Sequence, residues 1–145
     1  MSSRNPPRPE GMSNPTQAST TLNNLGVAMF TVADQDAALA FYTGKLGFEV
    51  RADVSFGENG ANRWLEVAPP GSTARLALNP PMGPYQPGGG GIGVETVDIK
   101  AEHARLTAIG GIDVDPIMDA PGAPTLFMMR DPDGNNIAVV EVPAS

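Results

Sequence analysis

Hydrophobic residues in this chain fall into short runs separated by Gly, Pro, Asn and Asp, and the spacing within the runs changes in a fixed order. Leu25 to Val32 (LGVAMFTV) reads as a strand ending at Asp34, a residue suited to cap a helix. Over Gln35 to Lys45 the apolar positions Ala38, Phe41 and Tyr42 recur on one helical face, and Gly44 and Gly47 punctuate the end. Phe48 to Val54 is the next strand, followed by an Asn59-Gly60 hairpin signal and a strand at Arg63 to Ala68 (RWLEVA). A Pro69-Pro70-Gly71 turn then leads into Thr73 to Asn79 (TARLALN). The order is β-α-β-β-β.

The same order returns. Thr31 to Val50 (TVADQDAALAFYTGKLGFEV) aligns with Thr96 to Val114 (TVDIKAEHARLTAIGGIDV), setting Asp34 on Asp98, Ala37 on Ala101, Thr43 on Thr107, Gly47 on Gly111 and Val50 on Val114. The second copy predicts a strand at Ile92 to Val97, a helix from the Asp98 cap to Ile109, and a strand at Ile112 to Val114. A Pro-containing loop, Asp115 to Pro124, precedes a hairpin of Leu126 to Arg130 and Ile137 to Val142. The hairpin turns at Asp131-Pro132-Asp133-Gly134-Asn135, where Pro fixes φ and Gly and Asn are expected to take positive φ.

These boundaries divide the chain into a flexible N-terminal tail (1–23, rich in Ser, Pro, Asn and Thr), module one (24–80), a linker (81–90) and module two (91–143). The linker ends in four glycines. No Lys-Ser or Lys-Thr follows them, so a flexible connector is expected rather than a phosphate loop. Two like halves in 145 residues imply one domain with a cleft lined by the two sheets.

Composition narrows the chemistry. The absence of cysteine excludes disulfides, thiolate metal sites and cysteine nucleophiles, and a single histidine, His103, excludes a multi-histidine cage within one chain. The formal charge of −7 is concentrated from Glu95 onward, where nine acidic residues face three basic ones. Nucleic acid is therefore not an expected partner, whereas a cationic small molecule would suit the acidic half. No apolar run reaches the roughly 18 residues of a membrane span, and no apolar stretch follows the N-terminal arginines, so a cytoplasmic protein is expected.

Two β-α-β-β-β modules carrying DQDAALAFYTGKLGFEV and RDPDGNNIAVVE resemble the vicinal oxygen chelate superfamily, which includes glyoxalase I, extradiol dioxygenases, fosfomycin resistance proteins and bleomycin-binding proteins. The resemblance runs from about Leu25 to Val142. It implies an α+β fold in which paired modules form a half-open, barrel-like cleft with helices outside, and a homodimer that builds its clefts from modules of two chains. It also implies where enzymes of this kind hold a metal. Those positions fall here on Val27, on Ala77 (or Asn79 with a slip of two), on Gly91 (or Ile92 with a slip of one) and on Ala138. A divalent ion needs nitrogen, oxygen or thiolate donors, which Val, Ala and Gly side chains lack. No metal and no cofactor are expected. Glu141 lies on the opposite strand face from Ala138 and does not replace the missing carboxylate.

The remaining candidates line a cavity instead. Strand parity places Val27 and Met29, Arg75 and Ala77, Gly91 and Glu95, and Ala138 and Val140 toward the cleft, with Phe56, Trp64 and Asn79 as further ligand contacts. Glu95 is a candidate general base if it stays unpaired, and an ion-pair partner if Arg75 reaches it. His103 sits on a helix expected to cover the outside of the sheet. The leading expectation is a small-molecule-binding protein that sequesters a hydrophobic or planar, antibiotic-like ligand, a cationic one being suited to the acidic half. The alternatives are a glyoxalase-like lyase or isomerase, or a dioxygenase, with displaced metal ligands, and a degenerate domain with a collapsed cavity.

Overall fold

The structure, a computed structural model, describes residues 19–144. The segment expected to be a tail lies outside the described residues as far as residue 18. The first strand begins at Val27 rather than Leu25, which is exposed.

Module one comprises β1 (Val27–Thr31), α1 (Gln35–Ala40), β2 (Glu49–Phe56), β3 (Asn62–Ala68) and β4 (Arg75–Asn79). Module two comprises β5 (Gly91–Thr96), α2 (Ile99–Ile109), β6 (Asp113–Val114), β7 (Leu126–Arg130) and β8 (Asn136–Glu141). Each forms a four-stranded sheet with the same connectivity, β1-β4-β3-β2 and β5-β8-β7-β6. In each, the first strand lies parallel to the last, and the other pairs are antiparallel. The duplication read from the sequence is therefore a duplication of topology. No helix among the described residues is long and apolar enough to cross a membrane.

The local chemistry of the repeat explains why both copies fold alike. Asp34 accepts from the backbone N–H groups of Asp36 and Ala37, and Asp98 accepts from that of Ala101. Each cap supplies about 1 kcal/mol that Ala would not. After each helix the chain must reverse through positive φ, and the aligned glycines Gly47 (φ 79°) and Gly111 (φ 75°) allow it. The first helix departs from the expected regular α-helix to Lys45. From Phe41 to Lys45 it widens into a π-helical turn closed by Leu46 N–H to Phe41 O at 3.2 Å. Both Phe41 and Tyr42 are thereby buried side by side, with their rings edge to face at 5.2 Å.

The core is shared. Phe30, Leu65, Val67, Leu76 and Leu78 of the first sheet join Phe127, Met129, Ile137 and Val139 of the second, together with Ala38, Phe41, Tyr42, Ile99 and Leu106 from the helical segments. Each sheet thus turns one face into a common core, and its opposite face points away from it.

The modules are joined at the 131–135 turn. Asp131 Oδ1 accepts from the backbone N–H of Asp133 and of Asn135, each at 2.9 Å. Asn135 Nδ2 donates to Thr31 O at 3.1 Å, and its Oδ1 accepts from Gly90 N–H at 3.1 Å. The expectation that Asn135 supplies a positive φ is corrected: among the non-glycine residues described only Asn59 has one, and in this turn it falls to Gly134 (φ 88°). Asn135 is needed for its fully buried amide. The glycine run is not loose throughout, because Gly88 and Gly90 are closely packed while Gly89 and Gly91 face open space. A Cβ on Gly90 would come within 2.6 Å of the Phe30 ring, and one on Gly88 would strike the Asp133 carbonyl.

Candidate functional site

Strand register gathers the candidate residues into two sets, one per sheet. On the outward face of the first sheet, Val27 pairs with Arg75, Met29 with Ala77 and Thr31 with Asn79. The same face continues through Glu66, opposite Ala77, to Trp64, opposite Val54. Asn62 opposite Phe56 completes it. On the second sheet, Gly91, Gly93 and Glu95 pair with Asn136, Ala138 and Val140, which in turn pair with Arg130, Met128 and Leu126.

The first face is apolar and open. Met29 is 61% exposed, Val54 54% and Phe56 49%, on a sheet whose other side buries Phe30, Leu65, Val67, Leu76 and Leu78 in the core. Ala77 and Asn79 are sealed beneath their neighbours, so of the expected contacts these two lie below the surface rather than on it. The second face is notable for what its glycines leave empty. A Cβ at Gly91 or Gly93 would meet nothing within 4 Å, so packing does not demand glycine at either position.

One charged group lies buried within the apolar face. Glu66 is 8% exposed, which costs free energy unless the carboxylate is paired. Its Oε2 accepts from the Trp64 indole N–H at 2.8 Å, and its Oε1 lies 2.8 Å from Arg75 Nε. Sequence reasoning missed Glu66. The RWLEVA strand carried the signal, because alternation puts Trp64 and Glu66 on one face and a buried Trp N–H needs an acceptor. Arg75 therefore pairs with Glu66, not with Glu95. Glu95 is exposed and makes no ion pair or side-chain hydrogen bond among the described residues.

Between the modules runs a groove of about 640 Å³, lined by Ala28, Phe48, Arg75, Ile92, Glu95 and Val140 among others. That volume falls in the range of small-molecule sites. Through Arg75 it opens onto the first face, and through Glu95 and Val140 onto the second. These are the points where the two candidate sets approach one another within a chain.

The family metal positions do not fit an ion. Val27, Ala77, Gly91 and Ala138 offer no donor atom, Asn79 is buried, and Glu66 is engaged by Trp64 and Arg75. Among the described residues, no three His, Asp or Glu side chains converge. Glu141 faces away and accepts from Ile99 N–H at 3.1 Å, bracing the start of α2. His103 Nε2 lies 2.9 Å from Asp115 O, which places a proton on that nitrogen, and its ring meets Phe127 edge-on at 4.9 Å. On the packed side of the first sheet, Arg63 bridges Asp53 and Asp36, and its hydrogen bonds hold the Asp53 carboxyl below the usual carboxylate range.

Residues 24–139 match the family model described as Glyoxalase/Bleomycin resistance protein/Dioxygenase superfamily, and the chain belongs to that superfamily. Among solved structures it is similar to TnmS3, described as an antibiotic binding protein from Streptomyces sp. CB03234. The two are 32% identical, with 87% of this chain and 100% of that one covered and a TM-score of 0.75. A superfamily member from Sphaerobacter thermophilus DSM 20745 is 31% identical, with 85% and 100% covered and a TM-score of 0.76. An uncharacterized protein of Bacillus subtilis, YetH, is 39% identical over 59 residues, which is 41% of this chain and about half (48%) of that protein.

Proposed function

We propose that this protein binds and sequesters a flat, largely apolar small molecule without a metal ion, in a cleft that a second copy of the chain completes. The observation that carries the reading is the first sheet's outward face. It displays Met29, Val54 and Phe56 around Trp64, on the same face as Val27 and Ala77, two positions where the resemblance would put metal ligands. Such a face is costly to leave in water, at about 25 cal/mol per Å² of apolar surface. The open space at Gly91 and Gly93 gives a ligand room against the second sheet. The groove argues against a collapsed, degenerate cavity, and the likeness to TnmS3 supports a ligand-binding role.

Titration calorimetry against a panel of planar aromatic compounds tests this reading. Saturable binding with one site per cleft is expected. Stoichiometric Zn²⁺, Ni²⁺, Mn²⁺ or Fe²⁺ in the purified protein, removable by chelator with loss of a lyase or dioxygenase activity, would replace it with the enzymatic alternative.

A further inference from the structure

Given a small molecule at this site, we propose that Arg75 anchors it through an uncharged oxygen acceptor, so that the preferred guest is a flat aromatic carbonyl compound rather than an organic cation; this step rests on the binding reading above. Three observations lead there. Arg75 is held by Glu66 as an ion pair, its Nε 2.8 Å from Oε1, and among the described residues its terminal nitrogens make no hydrogen bond to a protein acceptor. The head group stands beside Val27 at the end of the open face and at the mouth of the groove, with 39% of the side chain exposed. Its charge is balanced by Glu66, whose second oxygen is taken by Trp64. Arg75 is therefore a fixed donor in a locally neutral pair.

The surrounding charges decide what such a donor selects. An anion gains no net attraction from a neutralised pair, and it would also face Glu95 across the groove. A cation would meet the unused N–H groups of Arg75, which cannot accept. Among the described residues, Glu95 is the one carboxylate of the acidic half left unpaired at the groove, and its exposure to water screens its pull on a cation, while the other carboxylates are engaged within the fold. Asp113 and Asp115 hold Arg130, and Glu102 holds Arg105. Asp98 and Glu141 brace α2, and Asp131 is buried in the turn. Among uncharged oxygens, a carbonyl is a strong and sterically open acceptor, and it takes a charge-assisted hydrogen bond without bringing a charge of its own.

A shape-matched series tests this, with fluorene as the bare skeleton, 9-fluorenone adding the carbonyl and 9-aminofluorene adding an ammonium. Quenching of Trp64, the single tryptophan of the chain, reports binding at this face. Fluorenone is expected to bind at least about tenfold more tightly than fluorene, and the ammonium compound more weakly than either. In the double variant Arg75→Met/Glu66→Gln, which leaves no lone buried charge, the fluorenone advantage should fall to within about twofold while fluorene binding persists. Arg75→Lys, which keeps a cation beside Glu66 but lacks the terminal amino groups, serves if the double variant does not fold and should lose most of the same advantage. Equal binding of fluorene and fluorenone, the tightest binding by the ammonium compound, or a preference that survives these variants would overturn the inference and leave ligand binding intact. Failure of all three compounds to bind would remove both.

Discussion

The phenol of Tyr42, in the π-helical turn of module one, donates to Asp131 Oδ2 of module two at 2.9 Å, across 89 residues of sequence. Asn135 Nδ2 donates to the same oxygen at 3.0 Å. Asp131 is thus a buried carboxylate satisfied entirely by the fold, and the two sequence segments most typical of the superfamily meet in one hydrogen-bond network. The network fixes how the modules sit and therefore where the groove opens between them.

Removing the phenol has a defined cost. Tyr42→Phe keeps the ring packing but leaves Asp131 short of one donor, so unfolding in urea should show a loss of about 1–3 kcal/mol. A pH dependence should accompany it. Burial, and then the neighbouring Asp131, push the Tyr42 phenol far above its ordinary value near 10. The protonated form is favoured in the fold, so this stabilisation is complete below about pH 10, where the unfolded chain's phenol begins to ionise, and is lost as pH rises further. The wild type should lose stability above that point more steeply than Tyr42→Phe. Parallel alkaline curves would contradict the assignment.

The fold was legible because its signals were local. Asp34 and Asp98 announced the two caps, Gly47 and Gly111 the two reversals, and strand alternation sorted Ala138 from Glu141. The site was only half legible, because its central group is a tertiary relationship. Arg75 and Glu66 lie on neighbouring strands, and which carboxylate Arg75 would choose depended on a register that the spacing alone did not fix. The glycine run misled for a similar reason. Looseness and tight packing look the same in sequence, and only the approach of Phe30 and Asp133 separates them.

The buried pair on the open face should behave as a coupled unit. Arg75→Met strands the Glu66 carboxylate at 8% exposure, and truncating one partner of such a pair costs about 3–5 kcal/mol when burial is complete. Arg75 is itself more than a third exposed, so a loss toward the lower part of that range is expected. Combining Arg75→Met with Glu66→Gln should recover much of it. A double-mutant cycle read by urea denaturation checks this, and simple additivity of the two changes would show that the pair is not coupled.

Glycines at the linker and at the cleft should answer differently to the same substitution. Gly90→Ala drives a Cβ into the Phe30 ring and the Asn135 amide, so a clear loss of stability is expected, of order 1–3 kcal/mol. Gly93→Ala enters open space and should leave thermal stability within about 0.5 kcal/mol, or raise it slightly through a less flexible unfolded chain. A larger residue, Gly93→Leu, should weaken binding of planar compounds while the fold persists. Unchanged affinity in that variant would mean that the ligand does not use the second sheet.

The proposed binding site calls for a second copy of the chain, and Met29 offers the sharpest test of it. The residue is 61% exposed in the single chain, so Met29→Asp should cost a monomer almost nothing. In a dimer that closes over the first sheet's outward face, the same change places an unpaired carboxylate in an apolar interface, where it is strongly unfavourable. Sedimentation equilibrium should therefore find a dimer for the wild type and a monomer for Met29→Asp, with circular dichroism unchanged. The wild-type melting temperature should rise with protein concentration and the variant's should not. A wild type that sediments as a monomer at micromolar concentration would show that one chain alone must hold the ligand, leaving the groove between its own modules as the place to look.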